Sequence, residues 1–282
     1  LIKDLCQALG VSRSGYYGWL NHQEYCDQYT DKVINIFTQN YKRYGVRRIT
    51  AELQDSNMAI GHKRVRRIMH QNGLVAIAPK SFVPRTTDSR HHMRMSPNLL
   101  LERAIKADRP HQIIVGDITY LPLMMGKWAY LATWMDLFTR KIVGWQVNGS
   151  MTAELVISAL NKAISQQILP AGLIVHSDRG GQYADSDFRR ILSAHKFEQS
   201  MSRARETYDN AFAESLFSRL KAEISSVKGQ FVDLKHAENS CYSFIDYYNQ
   251  RRRHSALGYN SPDQFEWEYY QSQRRKGTKT SG

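Results

Sequence analysis

Apolar residues recur every three or four positions through the first third of the chain. Beyond residue 111 they gather into short runs rich in β-branched and aromatic side chains. Leu1, Ile2, Leu5, Ala8 and Leu9 share a helical spacing; Gly10 stops that helix, and Ser12 caps a second one carrying Tyr16, Tyr17 and Trp19. Val33, Ile36 and Phe37 make 31–41 amphipathic. Two more helical segments follow and break near 57–61, the later one aligning Val65, Ile68 and Met69 on one side. Residues 76–110 mix Pro, Ser, Thr and basic residues without a period, as a linker does.

After residue 111 the spacing predicts strands over 113–123, 128–136 and 141–147. A helix over 152–168 buries Leu155, Val156, Ala159, Leu160, Ala163 and Ile164. The run Leu173-Ile174-Val175 reads as a buried strand leading to Asp178, followed by a helix near 185–195, a strand over 197–201 and an amphipathic segment over 209–226. Periodicity alone therefore gives an α/β domain with a mixed sheet behind an all-α region.

Charge divides the chain in the same places. The net charge is +13 over 282 residues. Residues 1–110 hold 18 Lys and Arg against 9 Asp and Glu, residues 111–250 hold 14 against 14, and residues 251–282 hold 7 against 3. A neutral middle between basic ends suits a catalytic core with nucleic-acid-holding arms. Lys63, Arg64, Arg66 and Arg67 lie mostly off the apolar side of their helix, as groove entry with phosphate contacts requires; Arg47 and Arg48 extend the basic set.

No apolar run approaches a membrane span, and no signal-peptide pattern opens the chain, so a cytoplasmic protein is expected. Cys6, Cys26 and Cys241 form neither a CxxC pair nor an even framework, in keeping with a reducing compartment. His91-His92 lacks partners at zinc-finger spacing.

Three acids stand out. Asp117 and Asp178 end apolar runs, and Glu214 lies on a helix, with 35 residues between it and Asp178. Carboxylates brought that close resist joint ionisation, and a hard divalent cation resolves the conflict. That chemistry is metal-assisted phosphoryl transfer. On the helix Asn210, Glu214 and Lys221 share one face.

The acids, their spacing and the phrases HSDRGGQY, YDNAFAESLFSRLKAE and YYNQRRRHSALGYNSP resemble the DDE transposases and retroviral-type integrases. More narrowly, they are similar to the catalytic proteins of the bacterial insertion-sequence family numbered three, over about residues 1–268. The resemblance implies a ribonuclease-H-like core, with a mixed five-stranded sheet and flanking helices, behind helix-turn-helix modules. It divides the chain into a helical segment (1–25), a helix-turn-helix domain (26–76), a basic linker (77–110), the catalytic core (111–230) and a C-terminal helix with a basic tail (231–282). It makes Asp117, Asp178 and Glu214 catalytic and metal-holding, with two Mg²⁺ or Mn²⁺ ions per site, and sets Asp136, on another strand, aside as structural. It also implies cleavage at element ends, strand transfer by a copy-out-paste-in route, and a homodimer or larger assembly on double-stranded DNA, both terminal inverted repeats and target. Arg179, Asn210, Lys221, Arg251, Arg252 and Arg253 join the helix-turn-helix cations as expected DNA contacts. Two other readings compete: a sequence-specific DNA-binding protein with an inactive core, and a nuclease of RNA–DNA hybrids.

Overall fold

The computed structural model describes residues 2–20, 27–78, 95–203, 211–224 and 230–279, with the side chains of 211–214 and 277–279 outside that description. It divides into two compact units, Leu1–Ala76 and Ile77–Gly282.

The first unit is helical. α1 (Ile2–Ala8) and α2 (Arg13–Leu20) flank a turn in which Gly10 takes φ 64° and the Ser12 hydroxyl accepts from the Gly15 N–H at 3.0 Å. Of their apolar residues only Cys6 is buried; Leu9 and Trp19 stand in solvent. α3 (Thr30–Gln39), α4 (Val46–Asp55) and α5 (His62–Gln71) close around Val33, Phe37, Tyr44, Ile49, Leu53, Val65 and Ile68. Asp27, 2% exposed, receives Arg64 Nε at 2.6 Å and Arg67 Nη2 at 3.1 Å and so ties α5 to the start of this bundle.

The second unit opens on α6 (Leu99–Glu102), a four-residue helix too short to show a period. Residues 96–99 nevertheless line the edge of the sheet. Met201 N–H donates to Pro97 C=O, Leu99 N–H to Ser200 Oγ, and Ser96 Oγ to Gln199 Oε1. Part of the stretch read as linker is thus a cover for an edge strand, which needs its free backbone groups satisfied.

β1 (Ile113–Pro122), β2 (Trp128–Asp136) and β3 (Ile142–Asn148) form an antiparallel meander. α7 (Ala153–Gln166) crosses to β4 (Ile174–Ser177), which runs parallel to β1. α8 (Gly181–Ala184) and α9 (Ser186–Ala194) lead to β5 (Glu198–Met201), parallel to β4. The sheet order is β3-β2-β1-β4-β5, the mixed five-stranded arrangement of the ribonuclease-H-like fold.

One core lies on each face, because strand side chains alternate. Ile114, Trp134 and Val175 meet α7 and Phe188 on one side. Ile113, Val115, Leu121 and Ile174 meet the other side's helices, α10 (Ala211–Ile224) and α11 (Leu234–Gln250). α12 (Pro262–Lys279) follows; Phe265 and Tyr269 pack on Phe138, and Glu266 reaches Lys141 at 2.7 Å.

Candidate active site

The parallel pairing of β1 with β4 runs Ile113↔Ile174 to Gly116↔Ser177. Asp117 and Asp178 stand one step beyond that last pair, on strands about 4.8 Å apart. Counting by alternation, both belong to the face that α10 and α11 cover. Two carboxylates separated by sixty residues of sequence thus come side by side on neighbouring inner strands of one sheet.

Local hydrogen bonds orient both. Asp117 Oδ1 accepts from Ile118 N–H at 2.8 Å, and Asp178 Oδ1 accepts from Gly180 N–H at 2.9 Å. Gly116, just before Asp117, lies under the Trp134 ring; a Cβ there would sit 2.3 Å from it. The residue beside the first acid is therefore glycine because the indole occupies the space of a side chain.

Two further groups feel the pair. Tyr183 is buried against Trp134 and Phe188, and its hydroxyl oxygen has no hydrogen-bond partner among the described residues. Burial, and then the charges of Asp178 and Asp117, push its phenol well above the usual range, which keeps it protonated. Lys221 on α10 is half-buried; burial pulls its ammonium down, and Asp117 pulls it back up. Lys221 thus lies within electrostatic reach of the first acid. Glu214 stands seven residues earlier on the same helix, nearly in line with Lys221 along the axis. Its side chain lies outside the described residues, as do Asn210 and His91-His92.

Adjacent carboxylates suit a hard divalent cation, whose preferred donors are oxygens. Among the described residues no group of three or more His, Cys, Asp or Glu side chains converges.

Asp136 has a different task. Fully buried, it accepts from the N–H groups of His111, Phe138 and Thr139 at 2.6–2.8 Å and so builds the β2–β3 turn. His176 is also fully buried, and its Nδ1 lies 2.8 Å from Ser200 Oγ. Ser200 Oγ also accepts from Leu99 N–H at 3.0 Å, so one hydroxyl joins the two segments. This histidine holds strands together and, buried inside the sheet, offers no surface to a phosphate. Arg179 donates through Nε to Ser202 C=O at 2.8 Å beside Asp178.

The expected DNA-facing cations separate on burial. Arg47, Lys63, Arg66 and Arg67 are exposed, and Arg48 lies over the Tyr44 ring at 5.7 Å. Arg64 is drawn inward by Asp27 and stacks on Tyr29. Arg251 is exposed, while Arg253 donates to Tyr259 C=O. Arg252 corrects the sequence reading: at 2% exposure it is turned into the protein, where Nη1 meets Glu223 Oε2 at 2.6 Å, and it offers no surface to DNA. Tyr183 and Glu223 were missed. Tyr183 sits inside HSDRGGQY, but nothing in a sequence marks a phenol as buried, and Glu223 is one more acid on an amphipathic helix.

Comparison with known proteins extends this geometry. The Integrase core domain family matches residues 107–207, a second Integrase core domain family matches 195–262, and an HTH-like domain matches 25–82. The transposase InsF of insertion sequence IS3A from Escherichia coli K12 is 38% identical over 274 residues, 94% of this chain and 93% of that one. An uncharacterized 31 kDa protein of insertion element IS600 from Shigella sonnei is 38% identical over 95% of this chain and 99% of its own. A chain of the simian T-cell lymphotropic virus intasome, solved with PP2A regulatory subunit B56 gamma, shares the fold at TM-score 0.50 and 15% identity, over 83% of this chain and 74% of that chain. Among the described residues, no helix is long and apolar enough to cross a membrane.

Proposed function

Because this chain belongs to the IS3 family of DDE-type insertion-sequence transposases, we propose that Asp117, Asp178 and Glu214 form the catalytic centre that cuts and rejoins DNA at the ends of its element. The register of Asp117 beside Asp178 carries this reading. The three acids would hold two divalent ions, Mg²⁺ or Mn²⁺. Bound there, the ions supply charge neutralisation at the phosphate and at the oxygens of an in-line displacement.

The chain's own groups do the rest. In the first step water oxygen bonds to phosphorus and the bond from phosphorus to the 3′ oxygen breaks, freeing a 3′-OH. In the second, that 3′-OH loses its proton and its oxygen bonds to the phosphorus of a phosphodiester of another strand; the bond from that phosphorus to its own 3′ oxygen breaks, the leaving oxygen takes up a proton as a new 3′-OH, and no covalent protein–DNA species is needed. Lys221, in the field of Asp117, contacts the DNA backbone close to the reacting phosphate. Arg179 and Asn210 would add further backbone contacts. In the first unit Arg47, Arg48, Lys63, Arg66 and Arg67 supply phosphate contacts for end recognition, with Arg64 bracing the helix that presents them. Joining one cleaved end beside the other follows a copy-out-paste-in course and needs two ends together, hence at least a dimer on double-stranded terminal repeats and target DNA.

The test is Mg²⁺-dependent nicking of duplex DNA carrying the element's terminal repeat. Wild-type protein should release a 3′-OH at the repeat boundary and Asp178→Asn should not, while both bind the duplex equally. Equal nicking by the two would remove Asp178 from the reaction. Binding without nicking by either would favour a DNA-binding protein with an inactive core.

A further inference from the structure

The helix α10 carries both Glu214 and Lys221, so its roll about its own axis decides what faces the acid pair. At about 100° per residue, Leu216, Leu220, Phe217 and Ile224 fall in one arc, the arc that is buried. Lys221 and Glu214 lie at one rim of it. Glu223 lies at the other, about 160° around from Lys221. There Glu223 meets Arg252, at a contact of 2.6 Å with side chains 4% and 2% exposed.

Apolar packing of α10 against Ala237, Cys241, Phe244 and Ile245 is only weakly selective for roll. Hydrophobic burial is non-directional, so it sets which arc of the helix faces inward more firmly than the exact roll. A buried ion pair is selective, because a small rotation strands two charges without water. It is also a poor stabiliser, since desolvation offsets much of its attraction. Arg252 Nε, buried without a hydrogen-bond partner among the described residues, shows that the pair is not optimised for stability. Arginine suits the task because its guanidinium is planar and always charged. Arg252 is itself fixed, its N–H donating to Tyr247 C=O at 3.0 Å just past the end of α11.

We propose that the Arg252–Glu223 pair is a positioning device for the reaction: it fixes the roll of α10 and thereby presents Glu214 and Lys221 to Asp117 and Asp178. This rests on Glu214 being the third acid of the catalytic centre. It gives the arginine run after YYNQ a role inside the protein, with Arg251 as its outward-facing neighbour.

The experiment uses the full chain, a terminal-repeat duplex and Mg²⁺, with the double variant Arg252→Met/Glu223→Leu, the charge swap Arg252→Glu/Glu223→Arg, and Arg252→Lys. Thermal melting, duplex affinity and single-turnover nicking across a Mg²⁺ titration are read for each. The apolar double variant should fold and bind DNA as wild type does, yet nick roughly 10- to 100-fold more slowly, as expected for a misplaced catalytic group. It should also need more Mg²⁺ for half its maximal rate. Arg252→Lys should lie between, and the charge swap should nick faster than the apolar pair. Wild-type nicking rates in the folded double variant would overturn the proposal. So would a loss of nicking matched by a loss of DNA affinity, which would make Arg252 a DNA contact, and so would failure of the double variant to fold, which would make the pair purely structural. Asp178→Asn separates this from the reading beneath it. If Asp178→Asn nicks like wild type the catalytic centre is wrong; if it is dead and the pair variants are normal, only the positioning role falls.

Discussion

The side chain of Asn249 pairs with the backbone of Ile142 as another strand would. Its Oδ1 accepts from Ile142 N–H and its Nδ2 donates to Ile142 C=O, each at 2.9 Å. β3 is an edge strand, and its unpaired backbone groups would otherwise invite pairing with another chain. Tyr247 and Tyr248, the residues just before Asn249, are buried in the same region. The phrase YYNQ is therefore closure over the catalytic fold.

Asn249→Ala removes both bonds and leaves two half-buried backbone groups to find water. A loss of about 1–3 kcal/mol is expected, measured as a lower midpoint in urea with unchanged slope. Asn249→Asp keeps the acceptor only and should fall between. An unchanged midpoint in Asn249→Ala would mean that α11 holds without this contact.

Gly116→Ala places a methyl 2.3 Å from the Trp134 ring, which is itself fixed by its Nε1–H donating to Val156 C=O at 3.2 Å. Overpacking of this kind costs about 1–3 kcal/mol. Here the strand that shifts also carries Asp117, so nicking should fall by more than the loss of stability accounts for. Gly116→Ala with Trp134→Leu should recover part of both. Recovery of the melting temperature without any recovery of nicking would show that the ring, rather than the strand position, matters to the site.

Asp27 gives the first unit an acid-sensitive tie. Hydrogen bonds from Arg64, opposed by burial and then reinforced by the Tyr29 N–H and Arg67, hold its carboxyl below the usual range. A carboxylate whose folded value is depressed adds stability above its unfolded pKa, about 3.9, and that stability is lost as pH falls through the folded value. Urea midpoints of the helical unit should be level above about pH 5 and drop below about pH 4. Asp27→Asn should be less stable at neutral pH and should flatten that acid limb. A variant with the same acid limb would assign it to other carboxylates.

Helix and strand spacing is enough to read α3, α7 and the meander to within a residue or two, because each buries a full apolar stripe. The stretch around α6 was not readable in that way. Its order comes from backbone groups docking on β5, and Ser96, Pro97 and Leu99 carry no periodic signal of it. Among the acids, Asp117 and Asp178 looked alike to Asp136, since all three end apolar runs. The distinction is one of surroundings: Asp136 is enclosed by three backbone N–H donors, whereas Asp117 and Asp178 share an open register step. Arg252 and Arg251 are equally basic in sequence, and only the end of α11 decides that one turns inward. Periodicity gives the elements; the contacts between distant segments decide which polar residues face solvent.

Asp178→Asn tests the metal role through stability alone. Like charges placed side by side between strands cost roughly 0.2–1 kcal/mol, and Lys221 on its own offsets only part of that. Asparagine keeps Oδ1 as the acceptor for Gly180 N–H, so the turn survives the change. In chelator the variant should therefore melt slightly higher than wild type, by about 1–4 °C. Mg²⁺ should reverse this order. A ligand that binds only the folded protein stabilises it by about 2.7 kcal/mol at a hundred times its Kd, so the wild-type melting temperature should climb with Mg²⁺ while that of Asp178→Asn stays nearly flat. If both proteins respond to Mg²⁺ alike, and wild type is already the more stable in chelator, the acid pair is a structural contact and divalent ions bind elsewhere.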